Sequence, residues 1–286
     1  MSNQGGILTP AKARSGACFA KTRRNYHGLY LVDCKMPTVG GGGGPAWAPP
    51  SISGNILQFV ADLDVYSDSG LTTPQITNSG LVQGWKDQSA SVKPLITGSG
   101  GSLVLASMGP NNRNGVYFDP SGAGRRSLFT SGSMSNISTG SYTLIAVWSS
   151  AADTAGFSAI LSFDNGSGGS LYHQNSTRIA TWFGGNLQSS ADYLATQPLT
   201  ISTFRRNGTT CEYWKDGTAD AANPQTNASA ASNGVSVGLG SDSSGNSSGP
   251  KTVCAAFLFD NSISDLDRIA LHTYLGTYYG ITMGGA

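Results

Sequence analysis

Carboxylates are the first residues to consider, because a pair of them can cleave a glycosidic bond. One carboxyl group donates a proton and the second acts as base or nucleophile. The 286-residue chain contains one glutamate, Glu212, in the segment TTCEYWK. Asp62 and Asp64 could take part instead, since their spacing would place both on one face of a strand. Neither aspartate stands in a motif typical of catalysis, so we expect no catalytic residues.

Oxygen-bearing side chains in two glycine-rich segments would suit calcium, which prefers carboxylate and amide ligands. Asp164 and Asn165 lie in SFDNGSGG, and Asp242 lies in GSDSSGNSSG. The same residues are typical of turns, because Asp and Asn hydrogen-bond to their own backbone. Calcium and turn formation are therefore alternative interpretations of these three residues. No other cofactor is expected, since no C-x-x-C pair occurs and the three histidines are far apart.

Aromatic residues next to amides could bind a glycan. Tyr172 in SLYHQN and Trp182 with Asn186 in ATWFGGNLQ are the candidates for such a site. The alternative is that both aromatic side chains pack in the core, as aromatic side chains in strands commonly do.

Composition favours a β-rich protein. Hydrophobic residues make up 38%, charged residues only 12%, and glycine occurs 39 times. Such a chain is too apolar for disorder and too rich in turn formers for a helical protein. No apolar run reaches the roughly 18 residues of a membrane helix, and the N-terminus lacks the apolar segment of a signal peptide.

The segment LTISTFRRNGTTCEYWKDGTA predicts a β-hairpin followed by a further turn. Asn207–Gly208 indicates a two-residue type I′ turn, and Asp216–Gly217 marks the next one. Between them the side chains should alternate across the sheet, one set on each side: Cys211, Tyr213 and Lys215, then Glu212 and Trp214.

One helix is predicted, near the C-terminus. Ser264 is a candidate N-cap with Asp267 three residues later, and Gly280 is a candidate end. Apolar residues at three- and four-residue spacing predict one buried face, which comprises Leu266, Ile269, Ala270, Tyr274, Leu275 and Tyr278.

The run PTVGGGGGPAWAPPS divides the chain. Residues 1–50 contain six basic side chains and one acidic one, while the rest contains 11 basic and 15 acidic. A basic arm on a mildly acidic body suggests that the arm binds an acidic surface, although a solvated tail is the alternative. We predict a docking arm over 1–39, a linker over 40–54 and a β domain over 55–286. The candidate docking residues are Arg14, Lys21, Arg23, Arg24, Tyr26, Tyr30 and Trp47.

Three stretches, taken in order, resemble one family. GLVQGWKDQSAS resembles its Trp-x-Asp-x-Ser element, here Trp85, Asp87 and Ser89. GVYFDPSG is similar to its apolar-x-Phe-Asp strand, and SISDLDRIALHTYLGTYYG to its closing helix. The family is the concanavalin A-like, laminin-G-type jelly roll found in bacteriophage particles and bacterial surface proteins. The resemblance covers about 55–282 and implies an all-β sandwich with a C-terminal helix, preceded here by an extended arm.

The fold hosts lectins, hydrolases and structural modules, so the resemblance leaves function open. The Glu-x-Asp-x-x-Glu strand of the glucanase branch is missing. We expect a non-catalytic virion structural protein, assembled in the host cytoplasm, whose arm binds other virion proteins of the capsid, collar or tail. It should form a homo-oligomer or be present in many copies per particle. The alternatives are a host-glycan receptor module and, less favoured, a glycoside hydrolase. Membrane and nucleic-acid partners are not expected, and pairing of Cys18 with Cys34 or Cys211 with Cys254 is left open.

Overall fold

The structure is a computed structural model of the whole chain. The parts of the chain that it describes are 21–24, 30–33, 46–77, 79–91, 93–97, 103–108, 111–118, 128–130, 140–150, 157–163, 169–174, 177–182, 186–189, 193–194, 196–228, 237–241 and 249–284. The chain divides into two units, Met1–Thr38 and Val39–Ala286. No helix within the described parts is long and apolar enough to cross a membrane.

The first unit contains a two-stranded antiparallel ribbon. Strand β1 (Lys21–Arg24) pairs with β2 (Tyr30–Asp33), and Lys21 lies opposite Asp33. An isolated two-stranded ribbon is marginally stable in water.

Among its described residues, the second unit contains two antiparallel sheets and one helix, which confirms the predicted sandwich. The first sheet runs β18-β17-β16-β11-β21-β9-β8-β5, with β3 pairing to β21 and β19 to β17. Its strands are β3 (Asn55–Val60), β5 (Leu81–Val82), β8 (Leu103–Met108), β9 (Arg113–Phe118), β11 (Ser141–Ser150), β16 (Thr200–Asn207), β17 (Thr210–Lys215), β18 (Thr218–Ala219), β19 (Gln225–Thr226) and β21 (Lys251–Phe259).

The second sheet runs β15-β14-β13-β12-β20-β10-β7-β6-β4. Its strands are β4 (Val65–Tyr66), β6 (Gly84–Trp85), β7 (Leu95–Thr97), β10 (Leu128–Thr130), β12 (Phe157–Ser162), β13 (Ser170–Gln174), β14 (Arg178–Trp182), β15 (Asn186–Gln188) and β20 (Gly238–Leu239).

Strand β11 shows why the first sheet is apolar on both faces. Leu144, Ala146 and Trp148 point into the core between the sheets. Ile145 and Val147, which alternate with them, belong to a second apolar cluster under the helix. Because both faces are covered, the strand reads as a continuous hydrophobic run instead of an alternating one.

Helix α1 (Asp265–Tyr279) begins and ends where the sequence predicts. The Ser264 hydroxyl accepts a hydrogen bond from the Asp267 amide at 3.1 Å. Gly280 ends the helix with φ 70°, and its amide donates to the Gly276 carbonyl. A left-handed residue at this position favours glycine.

The predicted buried face of the helix is only partly correct, because Leu275 and Tyr278 are buried whereas Leu266 and Ala270 are exposed. Leu266 is 81% exposed, and the residues that are buried are Arg268, Leu271, His272, Leu275, Gly276, Tyr278 and Tyr279. Two polar residues on this face find partners under the helix. His272 Nε2 lies 2.7 Å from the Thr203 hydroxyl, and the Arg268 guanidinium lies 4.4 Å from the Trp214 ring centre. A pattern of apolar residues at helical spacing cannot identify buried polar residues such as Arg268 and His272.

The predicted hairpin is confirmed, but its turn is displaced by one residue. Asn207 pairs with Thr210, so Gly208 and Thr209 form the two-residue loop. Only Gly208 has a positive φ there, 61°. A type I′ turn needs positive φ at both positions, whereas a type II′ turn needs it at the first alone. Asparagine therefore closes the β16 strand and glycine makes the turn.

Trp47 anchors the segment that enters the sandwich. Its ring lies 4.9 Å from Tyr278 and 5.3 Å from Tyr274, both edge to face. The Tyr274 hydroxyl accepts a hydrogen bond from the Ala48 amide at 2.6 Å and donates to the Ala46 carbonyl at 3.3 Å. The chain is thus fixed to helix α1 at residues 46–48, directly after the glycine run.

Candidate functional site

A groove of about 350 Å³, lined by both polar and apolar side chains, lies at one end of the sandwich, and it is the candidate site. Its lining comes from three separate stretches: Tyr193, then Tyr213 to Asp220, then Thr282 and Gly284. The middle stretch is the end of β17, the turn after it, and β18. Polar side chains in a concave site are what a polar ligand requires for orientation.

The Asp216–Gly217 turn is the rigid part of the groove. Both residues have positive φ, 48° and 88°, the geometry of the type I′ turn that Asp-Gly favours. The Asp216 carboxylate accepts hydrogen bonds from the Ile201 amide at 2.7 Å and from the Thr200 hydroxyl at 2.9 Å. These bonds fasten the turn to the start of β16.

Burial raises the pKa of the Asp216 carboxyl, and the hydrogen bonds from Ile201 and Thr200 oppose that rise. A carboxylate already accepting these bonds is well placed to orient the turn and one further donor.

The floor of the groove is Tyr193 covered by Lys215. The Lys215 ammonium lies 4.8 Å from the Tyr193 ring centre. The ring is also nearly parallel to that of Trp148, with ring centres 6.2 Å apart. The Tyr193 hydroxyl lies 3.0 Å from the Ser202 hydroxyl. Because the ring is fixed by these contacts, it holds the ammonium in place through a cation–π contact.

The segment after helix α1 forms the remaining wall. The Gly284 amide donates to the Asp216 carbonyl at 2.7 Å, which ties this segment to the turn. A Cβ on Gly217 would lie 2.9 Å from the Met283 methyl. Glycine at 217 therefore serves both the positive φ and the close approach of this wall.

Asp220 completes the polar lining. Its amide donates to the Tyr213 carbonyl at 2.9 Å, and its Oδ1 accepts from the Ala222 amide at 2.8 Å. With the neighbouring Thr218 hydroxyl, the groove offers an ammonium donor, two carboxylates and hydroxyl groups.

The glycan candidates predicted from the sequence lie in a different place. Tyr172 on β13 pairs with Ala180 on β14, and Trp182 pairs with Asn186 on β15. The register brings the three residues together on adjacent strands of the second sheet. Tyr172 is 6% exposed, and the side chains of Trp182 and Asn186 lie outside the described part of the structure. Their role in binding stays a prediction.

The carboxylates considered for hydrolysis lie in two places, a turn after β3 and strand β17. Asp62 and Asp64 follow β3 and lie in a turn, so the predicted strand face is wrong; Asp64 has φ 50°. Asp62 accepts from the Tyr278 hydroxyl at 2.8 Å and pairs with Arg113 at 3.7 Å.

Glu212 pairs with Arg205 at 2.7 Å on the helix side of the first sheet. The Arg205 guanidinium lies over the Trp214 ring, 4.7 Å from its centre. Both contacts lie within the sheet, and Arg205 reaches helix α1 through its ion pair with Asp265 at 2.9 Å.

The other predicted site residues fall mostly outside the described residues. These are the calcium candidates Asp164, Asn165 and Asp242, and Arg14 and Tyr26 of the arm. Lys21, Arg23 and Arg24 lie on β1, and Tyr30 lies on β2. Within the parts of the chain that are described, no three His, Cys, Asp or Glu residues lie close enough to hold a metal ion.

The Cys211 and Cys254 thiols are free and buried. Cys211 belongs to the core between the sheets and Cys254 to the cluster under the helix.

The groove could not be predicted from the sequence, because the three stretches that line it are distant along the chain. One signal pointed to its rigid part, the Asp216–Gly217 turn, with Lys215 before it and Thr218 and Asp220 after it.

No protein-family model matches the chain, and no curated protein matches it. Solved structures share its fold at 12% identity. One is of botulinum neurotoxin type C, which depends on interaction with two ganglioside molecules to enter cells (TM-score 0.52, 78% of this chain, 51% of that chain). Another is the binding domain of botulinum neurotoxin DC in complex with SialylT (TM-score 0.51, 78% and 52%). A third is the receptor binding domain of botulinum neurotoxin D (TM-score 0.53, 78% and 53%).

The chain thus spans about half the length of the structures it matches. At this identity the likeness shows the fold alone, which is the sandwich fold of these receptor-binding domains.

Proposed function

We propose that the chain is a non-catalytic carbohydrate-binding protein, carried on a bacteriophage particle by its N-terminal arm. The observation that carries the binding part is the groove, where Lys215 lies on Tyr193 between the Asp216–Gly217 turn and Asp220. Carboxylates and an ammonium in fixed positions suit a ligand with several hydroxyl groups, because charged groups make stronger hydrogen bonds than neutral ones.

The fold neighbours support a binding module without assigning the ligand. The described neighbours are receptor-binding domains, and two of them are linked to gangliosides or to SialylT. The match covers only about half of each of these proteins, so it assigns their binding to no particular residue of this chain.

The groove makes a sharp prediction for binding. Full-length protein is tested on an immobilised panel of oligosaccharides, and the strongest ligand is titrated by calorimetry. Lys215→Ala should weaken binding about tenfold or more, because a charged hydrogen bond contributes roughly 1.5–3 kcal/mol. Lys86→Ala, an exposed lysine outside the groove, is the matched control and should bind normally. Equal affinities of the Lys215→Ala and Lys86→Ala variants would show that the groove does not bind the sugar.

Catalysis is checked in the same samples. Mass spectrometry of the ligand after long incubation should show no cleavage product, as expected of a binding protein. Steady product release that is lost in Asp216→Asn would contradict the non-catalytic assignment.

The anchoring part rests on the separate first unit and its basic ribbon. The β1 strand carries Lys21, Arg23 and Arg24, and the whole stretch 1–50 has a net charge of +5 against −4 for the remainder. A ribbon of this kind can extend the sheet of a partner through its free edges, while its charge favours an acidic surface.

Replacing Lys21, Arg23 and Arg24 by glutamine should abolish co-sedimentation of the full chain with particles that lack this protein. The control replaces two basic residues of the second unit, Lys86 and Lys93, by glutamine and should sediment normally. Wild-type binding should also weaken above about 0.5 M salt, where exposed charges are screened. Undiminished sedimentation of the arm variant would show that the arm is not the anchor.

A further inference from the structure

The charges of the groove suggest which sugars it accepts. Its described lining contains one cation, Lys215, and two carboxylates, Asp216 and Asp220. The ammonium is directed onto the Tyr193 ring, whose electron-rich face partly satisfies its charge. The net character of the site is therefore acidic, with the cation already in contact with the protein.

Both carboxylates are held in position by the backbone. Asp216 is fixed by the Ile201 amide and the Thr200 hydroxyl, and Asp220 by the Ala222 amide at its Oδ1 atom. These bonds restrict the rotation of both side chains. A fixed carboxylate accepts hydroxyl hydrogen bonds readily, and it repels a second carboxylate that is brought beside it.

We propose that the groove selects neutral sugars and rejects acidic ones, such as sialylated or uronate-containing glycans. The inference rests on the proposed carbohydrate-binding function and names the ligand class of that same groove. A neutral hexose or N-acetylhexosamine would donate hydroxyl hydrogen bonds to Asp216 and Asp220 and accept one from Lys215. An acidic sugar would meet two carboxylates for one ammonium.

The test uses the full chain and matched glycans. N-acetyllactosamine and chitotriose are the neutral probes, and 3′-sialyl-N-acetyllactosamine is the acidic counterpart of the first. An array of further neutral and acidic pairs is probed in parallel. Neutral members should bind at least about tenfold more tightly than their acidic counterparts, since a like-charge contact penalises the wrong partner strongly.

Asp220→Asn assigns the effect to the groove, because asparagine keeps the Oδ1 acceptor of the turn and removes the charge. This substitution should reduce the ratio of neutral-glycan to acidic-glycan affinity about threefold or more. Asp64→Asn, an exposed carboxylate outside the groove lining, should leave the preference unchanged.

The outcomes separate the two proposals. Tighter binding of acidic members, or a preference that Asp220→Asn does not alter, overturns the charge selection while carbohydrate binding stands. No binding to any member of the array overturns the carbohydrate-binding function itself, and the charge selection with it.

Discussion

Replacing Asp87 by alanine is expected to destabilise the protein by about 3–5 kcal/mol, because each buried donor left without a partner costs roughly 1–3 kcal/mol. Asp87 is 3% exposed. Its carboxylate accepts from the amides of Gln58 at 2.9 Å, Ser89 at 2.8 Å and Lys93 at 2.9 Å. The hydroxyls of Ser89 and Ser91 donate to it as well.

These bonds tie the loop after β6 to strand β3, next to Trp85. The Trp85 indole donates to the Val60 carbonyl at 3.1 Å and is fully buried. The Trp-x-Asp-x-Ser element therefore holds the two sheets together.

Urea unfolding, monitored by circular dichroism, measures the loss of free energy of unfolding in Asp87→Ala. Lys86→Ala, at the exposed neighbouring position, should change the free energy of unfolding by less than about 0.5 kcal/mol. A loss below about 1 kcal/mol for Asp87→Ala would mean that the loop satisfies these amides in another way.

The second large expected effect is a pH dependence of stability caused by Lys251, which is only 1% exposed. Its ammonium donates to the Ala159 carbonyl at 2.6 Å and the Gly240 carbonyl at 3.4 Å. Both acceptors belong to the second sheet or its adjoining loop, whereas Lys251 lies on β21 of the first. Burial lowers the pKa of Lys251 to about 7.

The sign of the pH dependence follows from this shift. An unfolded lysine has a pKa near 10.4, so between pH 7 and that value the unfolded chain binds more protons than the folded one. The free energy of unfolding therefore rises with pH across this window. Below pH 7 both forms are protonated, and the full cost of burying the charge is present.

Lys251→Met removes this dependence while filling a similar volume. Relative to the variant, wild-type protein should gain about 3 kcal/mol between pH 7 and pH 9.5. The comparison cancels the other titrating groups that the two proteins share. Denaturant unfolding at pH 6, 7, 8 and 9.5 measures the difference, with Lys86→Met as an exposed control. A difference between wild type and Lys251→Met that does not change with pH would contradict a buried lysine with a lowered pKa.

The alternation of the β17 strand could be predicted from sequence because the side-chain period in a strand is fixed at two residues. Cys211 and Tyr213 lie in the core, while Glu212 and Trp214 lie on the helix side. The ends of helix α1 were equally readable, because Ser264 and Gly280 satisfy local backbone groups.

The buried face of the helix could not be read in the same way. Its polar members depend on Thr203 and Trp214, which are contributed by distant strands. The groove presents the same difficulty on a larger scale, since Tyr193, Lys215 and Gly284 meet only in the folded chain. Their meeting depends on sheet register and on where the chain runs after the helix, and neither follows from local spacing.

The most direct test of the central claim is to locate the sugar on the protein. Backbone amide shifts of the isotope-labelled full chain are recorded during titration with the strongest neutral ligand of the panel. We predict that the largest changes fall at 213–220 and 282–284, the strand end, turn and wall of the groove. Changes confined to β13, β14 and β15 around Tyr172, Trp182 and Asn186 would place binding on the second sheet and contradict the groove assignment.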